Sequence, residues 1–294
     1  MSYPSKLYKY VVPDRIDILK NQLIRFSQPS ALNDPFELQP IFGEIFSENE
    51  LRDMFKLNLN FLEEALNKQL LKFPQKTRKK IIRQLLLQAK KDPHVLQGEI
   101  DKVAPLLKNE ISNFTPKAKK ILSDVLQTVG ILSLSEKLDH PLLWAHYAAS
   151  HRGFTIEFKT DHEFFNRRRS DKDELFHLRK VRYVNNSLST DITLSEMHGD
   201  DILATKDISW EYEAEWRIIA PLASANKTLE RLDDKIYLYS VPSSSISSII
   251  IGARASSLLY EELRTVLLST PNCEHISLKK VELNTTNQTI IING

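Results

Sequence analysis

Cysteine and glycine are both scarce in this chain, and each scarcity excludes a class of site. Cys273 is the only cysteine among 294 residues. This excludes a disulfide framework and a cysteine-rich zinc site, and it fits a reducing compartment such as the cytoplasm. There are seven glycines, and neither a GxGxxG nor a GxxxxGK[ST] motif occurs. A dinucleotide fingerprint and a P-loop are therefore unsupported.

Long apolar runs and an excess of one charge are missing as well. No run of about 18 apolar residues is present, so no membrane-spanning helix is expected. The first residues lack the apolar segment and cleavage site of a signal peptide. Forty basic side chains are balanced by thirty-eight acidic ones, for a formal net charge of +2. That balance does not indicate nucleic-acid binding by the whole chain, although it leaves a local basic patch open.

The hydrophobic pattern changes twice along the chain. Apolar residues alternate as in strands near the beginning, recur three and four residues apart from about Ser47, and alternate again from Gly130. Ser47 and Glu50 have the spacing of a helix capping box. Four prolines are expected to separate the helices: Pro74, Pro93, Pro105 and Pro116. We predict an α+β protein with a mixed or antiparallel sheet in a core domain of residues 1–44 and 129–294, and an all-helical insertion at 45–128.

Basic residues are frequent between Lys76 and Lys91 of this helical segment. They suit either contacts with phosphates or an ordinary solvated helix face, and the spacing alone leaves both open.

Two early segments hold polar residues in unusual places. Lys9 lies between Tyr8 and Tyr10, and in a strand it points to the opposite face from both tyrosines. It is a candidate ligand-binding residue, or an edge-strand lysine that discourages aggregation. Asn33 and Asp34 precede Pro35 and either form a turn or contribute to a site.

The segment from Pro141 to Phe158 has an aromatic helix face beside histidines. Trp144 and Tyr147 are three residues apart, and His151 follows Tyr147 by four. Such a face suits a flat ring such as nicotinamide or a base, or else it packs in the core. His146 and His151 are five residues apart, which is a poor spacing for a metal on one helix.

Glutamates alternate at the start of a later apolar segment. Glu211, Glu213 and Glu215 are predicted to share one face of a strand, with Arg217 positioned to orient Glu215. Like charges this close suit a cation, a developing positive charge, or a solvated sheet face. Glu215 is expected to be the most buried of the three because it lies deepest in the apolar strand.

The four segments, in this order, resemble the pattern of an uncharacterised bacterial family defined by sequence alone. The matching segments are LYKY at 7–10, FSQPSALNDPFE at 26–37, LLWAHYAASHRGFTIEF at 142–158 and WEYEAEWR at 210–217. Leu32 stands where this family often has phenylalanine.

A second resemblance is to DNA-targeting ADP-ribosyltransferase toxins. The opening LYKYVVPDRIDILKNQLIRFSQPS is similar to their first strand, helix and second strand, and AEWRI is similar to the strand that carries their catalytic glutamate. The resemblance implies an ADP-ribosyltransferase-like fold, NAD as substrate, and nucleic acid or protein as the acceptor in toxicity or defence. It places Glu215 at the catalytic glutamate and Lys9 where those toxins have a histidine.

One cleft is therefore predicted to gather the candidate residues, with NAD as ligand and no metal required. The catalytic set is Glu215, Glu213 and Arg217, and the NAD-binding set is Lys9, Tyr10, Asn33, Trp144, His146, Tyr147 and His151. Two alternatives remain. Asp139, Glu157 and Lys159 resemble the D…ExK pattern of magnesium-dependent nucleases, and an aromatic-lined pocket also suits a binding module without catalysis.

Overall fold

The computed structural model describes residues 3–38, 44–57, 59–170, 173–185, 193–196, 199–230, 235–284 and 289–293. Strands and helices both form in the proportions of an α+β protein, which confirms the predicted class. The helices are α1 (Asp17–Asn21), α2 (Glu48–Leu57), α3 (Leu59–Gln69), α4 (Gln75–Lys91), α5 (Pro93–Ser112), α6 (Thr115–Leu126), α7 (Pro141–Tyr147), α8 (Gly199–Leu203) and α9 (Ser257–Ser269). In the parts described, none of them is long and apolar enough to cross a bilayer.

Thirteen strands are present in the described residues. They are β1 (Lys6–Val11), β2 (Leu23–Phe26), β3 (Val129–Ser135), β4 (Phe154–Lys159), β5 (Leu178–Lys180), β6 (Arg182–Val184), β7 (Thr205–Asp207), β8 (Glu215–Pro221), β9 (Lys227–Glu230), β10 (Lys235–Ser240), β11 (Ile246–Ile251), β12 (Ser277–Asn284) and β13 (Thr289–Asn293).

Eight of these strands form the main sheet, in the order β13-β12-β11-β4-β1-β3-β8-β5. The sheet is mixed, as predicted, because β11 and β12 are parallel while the other neighbours are antiparallel. The first strand of the chain lies in the middle of the sheet, and Tyr8 is opposite Ser135 on one side and Glu157 on the other. Two smaller sheets have the orders β2-β10-β9 and β6-β7.

The alternation of β1 directs its side chains into different environments. Leu7 and Val11 belong to the largest apolar cluster, together with Phe26 and Ile156. Tyr10 belongs to a separate cluster around Trp144, against which Tyr8 also packs. Because successive side chains of a strand point to opposite faces, Lys9 shares the face of Leu7 and Val11.

The chain divides into two compact units. The first comprises Met1–Gln39, Asp124–Ser187 and Gly199–Gly294, and the second comprises Pro40–Ser123 and Leu188–His198. The second unit has its own apolar cluster, which includes Leu62, Leu66, Ile82 and Ile100.

The predicted capping box is present at the start of α2. The Ser47 N–H donates to Glu50 Oε2 at 2.6 Å, and the Glu50 N–H donates to Ser47 Oγ at 3.2 Å. The predicted interruption at Pro105 is wrong, because α5 continues through it. Its neighbours Val103 and Ala104 are buried, and this packing offsets the backbone hydrogen bond that the proline removes.

Candidate functional site

A cavity of about 210 Å³ lies in the first unit, beside the middle of the main sheet. Strands β1 and β3, helix α7, the loop after β2 and the segment from β7 to β8 all contribute to its wall. Exposed Ala31 and Asn33 are part of that wall, so the cavity reaches the surface. The lining is mostly polar and consists of Tyr8, Lys9, Tyr10, Ser27, Ala31, Leu32, Asn33, Glu37, Ser133, Leu134, Ser135, Leu143, Tyr147, Lys206, Glu213 and Glu215.

The glutamate-rich segment does not form the predicted strand. Residues Ile208–Glu213 form a 3₁₀ helix that Asp207 caps by accepting from the Ser209 N–H. Ala214 then adopts a left-handed conformation with φ 42°, and β8 begins only at Glu215. The prediction that the three glutamates share one face of a strand is therefore wrong. Glu213 and Glu215 nevertheless line the same cavity, whereas Glu211 is exposed.

Two cations hold these carboxylates in place. Lys206 Nζ donates to Glu213 Oε2 at 2.6 Å and to Glu215 Oε2 at 3.2 Å, and it lies 3.7 Å from Glu37 Oε2. Arg217 Nε donates to Glu215 Oε1 at 2.8 Å, and its Nη2 donates to Glu215 Oε2 at 3.0 Å and to Glu37 Oε1. The arginine is fully buried and its Nη1 also donates to the Leu203 carbonyl at 3.0 Å.

The charges of this buried cluster do not cancel by themselves. Glu37, Glu213 and Glu215 supply three carboxylates, while Lys206 and Arg217 supply two cations. With all five ionised, the cluster has an excess of one negative charge. A buried charge of this kind needs a further cation nearby or a proton.

Burial and the neighbouring charges shift the pKa values of Glu215 and Lys206 in this cluster. Burial raises the pKa of Glu215, and Glu213 raises it further, while Lys206 opposes the shift. Burial alone would lower the pKa of Lys206, but the attraction of Glu215 and Glu213 outweighs it and raises that pKa. Lys206 is therefore held as a permanent ammonium.

Lys9 is the other lysine of the cavity, and it has a different environment. Its Nζ donates to the Ser133 carbonyl at 3.0 Å. Burial lowers its pKa from 10.5 to about 8, although Glu215 and Glu213 partly oppose the shift. Lys9 therefore exchanges between the charged and the neutral form near physiological pH.

A chain of hydrogen bonds leads from the surface to Glu213. Asn33 Nδ2 donates to the Tyr147 hydroxyl at 2.9 Å, and that hydroxyl donates to Glu213 Oε1. Burial and the nearby Glu213 carboxylate raise the pKa of Tyr147. The tyrosine stays protonated and orients the carboxylate.

Three aromatic candidates lie outside this lining. Trp144 is fully buried, donates from Nε1 to the Leu138 carbonyl at 2.7 Å and packs edge-on against Tyr10 at 5.1 Å between ring centroids. His151 stacks on Trp144 with ring centroids 5.9 Å apart. His146 is exposed and lies near the rings of Tyr147 and Tyr212. Trp144 thus contributes packing, and α7 reaches the cavity through Leu143 and Tyr147.

The spacing of His151 suggests that it shares a helix face with Tyr147, and the backbone geometry explains why it does not. Helix α7 ends at Tyr147, and Ala149, Ser150 and His151 all have positive φ, at 48°, 56° and 68°. The chain therefore turns with left-handed geometry before β4 instead of continuing the helix.

The residues of the nuclease alternative are arranged differently. Glu157 is buried and engaged by Lys6 Nζ at 3.0 Å and by the Ser247 hydroxyl. Asp139 and Lys159 are exposed. Among the described residues, no group of three or more His, Cys, Asp or Glu side chains is placed to hold a metal ion.

Two members of the cluster were not among the predicted site residues. Glu37 ends the NDPFE segment that the family pattern contains, so its position in that motif was the available indication. Lys206 is a single lysine in the short strand β7, and only the tertiary structure brings it to the glutamates.

Comparison with known proteins supports the family prediction for part of the chain. Residues 143–218 match the model of a family described as a protein of unknown function (DUF2971). The predicted relation to a family without an assigned function is thereby confirmed over that segment, which includes Tyr147, Lys206, Glu213 and Glu215. No curated protein and no solved structure matches the chain.

Proposed function

We propose that the cavity binds NAD and that the chain is an ADP-ribosyltransferase-like enzyme, with nucleic acid or protein as the acceptor in a toxin or defence role. The observation that carries the proposal is the pair of buried carboxylates, Glu213 and Glu215, which line one small cavity and are oriented by Lys206, Arg217 and Tyr147.

The electrostatics of the cluster suit this reaction. Cleavage of the bond between ribose and nicotinamide passes through an oxocarbenium-like state with positive charge on the sugar. The Glu213 and Glu215 carboxylates attract that developing cation, and they need little reorganisation to do so because Lys206 and Arg217 fix them. Carboxylate oxygens also accept hydrogen bonds from ribose hydroxyls.

The size and lining of the cavity support one arrangement of the proposed ligand. A volume of about 210 Å³ lies below the roughly 300–1,000 Å³ of pockets that enclose a drug-sized ligand. It suits the nicotinamide and its ribose, with Tyr147 and Tyr8 offering ring surfaces in place of Trp144. The remaining half of the dinucleotide would lie at the opening, near exposed Asn33.

The test compares two glutamates of the same segment. We expect Glu215→Gln to lower the release of nicotinamide from NAD by about 100-fold or more, because it removes the charge that stabilises the transition state. Glu211→Gln makes the same chemical change at an exposed position and should leave the rate unchanged. Nicotinamide is measured by chromatography with DNA, RNA and protein acceptors present, and circular dichroism confirms that both variants are folded.

Other outcomes identify the alternatives. A wild-type chain that neither binds nor consumes NAD contradicts the proposal. Tight binding of NAD without turnover identifies a binding module. Metal-dependent cleavage of nucleic acid that is lost in Glu157→Gln and retained in Glu215→Gln identifies a nuclease, although the Lys6 and Ser247 contacts of Glu157 favour a structural role for that carboxylate.

A further inference from the structure

The two lysines of the cavity have opposite surroundings. Lys206 contacts three carboxylates and is fixed as an ammonium. Lys9 forms no ion pair with any residue that the structure describes, and its hydrogen bond is to the Ser133 carbonyl. A neutral amine keeps a free lone pair while it donates one N–H in this way.

The charged groups around Lys9 come from several elements. Glu215 and Glu213 stabilise its ammonium form, whereas Arg15 and Arg25 and the burial of the amine destabilise it. Burial has the largest effect, and the pKa of Lys9 falls to about 8. A desolvated lysine near other cations is an activated amine nucleophile.

The cavity wall indicates the kind of molecule that reaches this amine. The cavity wall holds the carboxylates of Glu37, Glu213 and Glu215, with the side chains of Ser27 and Asn33 beside them. Each carboxylate has about four lone-pair sites that accept hydrogen bonds, so this wall matches a ligand with several hydroxyl groups.

We propose that Lys9 is a nucleophilic amine that forms an imine with the carbonyl carbon of a small polyhydroxylated aldehyde bound in this cavity. The Nζ lone pair of the neutral amine attacks the carbonyl carbon, and one N–H proton passes to the carbonyl oxygen to give the carbinolamine. The carbinolamine then loses its hydroxyl group with the second N–H proton as water, which leaves the C=N bond. One amine and one aldehyde thus yield one imine and one water, with no oxidant or reductant. Imine formation at Lys9 does not require NAD turnover.

Reductive trapping tests the reactivity of the amine. The full chain is incubated with glyceraldehyde and cyanoborohydride at neutral pH, and the modified lysines are identified by peptide mass spectrometry. Cyanoborohydride supplies the hydride that reduces the imine to a stable secondary amine. We expect Lys9 to be labelled at least about tenfold faster than the exposed Lys20 and Lys159, because an ordinary lysine has a pKa of about 10.4 and is almost entirely protonated.

A matched aldehyde tests the ligand class. Propionaldehyde has three carbons like glyceraldehyde but no hydroxyl groups. The labelling of Lys9, divided by that of Lys20 in the same sample, should be several-fold higher with glyceraldehyde. Equal ratios for the two aldehydes overturn the polyhydroxylated ligand, and labelling of Lys9 no faster than Lys20 overturns the nucleophile.

Two variants separate reactivity from structure. Lys9→Arg keeps a cation but cannot form the imine, so the label should disappear from this position and stay unchanged at Lys20 and Lys159.

Glu215→Gln removes a carboxylate that stabilises the ammonium form, so the pH at which Lys9 becomes reactive should fall. A pH profile that does not move contradicts the assigned surroundings. Failure of NAD turnover leaves all of these readouts intact.

Discussion

The Lys9 side chain destabilises the folded state whenever it is protonated. Its pKa is about 8 in the folded chain and 10.5 in the absence of burial. For a base whose folded pKa is lowered, the cost is full below the folded pKa and vanishes above the unfolded one. We expect Lys9→Met to raise the free energy of unfolding at neutral pH by up to about 3 kcal/mol.

Urea unfolding of wild type and Lys9→Met across this pH range measures the effect. The difference between them should shrink as pH rises from 8 to 10.5, because the wild-type amine loses its proton in both states. A difference that stays constant with pH would show that packing, rather than charge, sets the stability of the variant.

Lys206 stabilises the folded state, in contrast to Lys9. Its removal leaves three carboxylates with Arg217 as their remaining cation in the cluster. Removing one partner of a buried ion pair costs about 3–5 kcal/mol, so Lys206→Met should lower the free energy of unfolding by that amount. The matched control is Lys180→Met, because the Lys180 ion pair with Glu136 is partly exposed and such pairs contribute about 1 kcal/mol or less.

Acid should partly rescue Lys206→Met. In the variant, Glu215 loses the cation that opposes its raised pKa. Its cost to folding is absent below the unfolded pKa and is full above the raised folded pKa. Denaturant unfolding at neutral and acidic pH should therefore show a smaller gap from wild type in acid. A gap that widens in acid would contradict a carboxylate origin.

At the scale of single elements, Gly153 holds the left-handed turn after α7 against the main sheet. A Cβ at Gly153 would lie 2.1 Å from the Val11 carbonyl oxygen, so either β1 or the turn must move. We expect Gly153→Ala to lower the free energy of unfolding by about 1–3 kcal/mol.

Gly98 provides the control for this substitution. It lies inside α5, and a Cβ there meets no described atom within 4 Å. Gly98→Ala should stabilise the chain by about 0.5–1 kcal/mol, because alanine loses less backbone entropy in a helix. Thermal unfolding of both variants gives the comparison, and a stabilising Gly153→Ala would contradict the steric argument.

Local patterns predicted many elements closely and failed where tertiary contacts decide. The alternation that resumes at Gly130 includes β4 (Phe154–Lys159), and Ser47 and Glu50 form the predicted capping box. Alternation failed at Glu211–Glu215, because Asp207 caps a 3₁₀ helix there and Ala214 reverses the backbone. An alternating row of polar residues fits a strand and a short turn equally well.

Only part of the candidate site could be predicted from the sequence. Lys9, Asn33, Tyr147, Glu213 and Glu215 were singled out and line the cavity. Trp144 was singled out for the same reason as Tyr147, but it is fully buried in the Tyr10 cluster, whereas Tyr147 is half-buried against that cluster and also lines the cavity. Lys206 has no local pattern at all, since its role depends on carboxylates from other elements.

At the scale of the molecule, each of the two units has its own apolar core, and this predicts separate local stability. Ile100 is fully buried in the cluster of the second unit, and Ile156 is fully buried in the main cluster of the first. Either substitution to alanine removes about 2–5 kcal/mol of packing free energy. We expect each to loosen mainly the unit in which it lies.

Amide hydrogen exchange locates the effect. Ile100→Ala should speed exchange in α3, α4 and α5 with little change in β3, β4 and β8, and Ile156→Ala should do the reverse. Equal acceleration of both units by either variant would show a single cooperative unit.

The central position of β1 has a consequence for synthesis on the ribosome. Its neighbours β3 and β4 are translated long after it, with the α2–α6 segment in between. At about 5–20 residues per second, the roughly 120 residues between Val11 and Val129 take about 6–24 s to appear. During that interval an aromatic strand with both edges unpaired is open to chaperones and to other nascent chains. Lys6 and Lys9 are charged while this strand is still hydrated, so they act as gatekeepers against aggregation until β3 and β4 arrive.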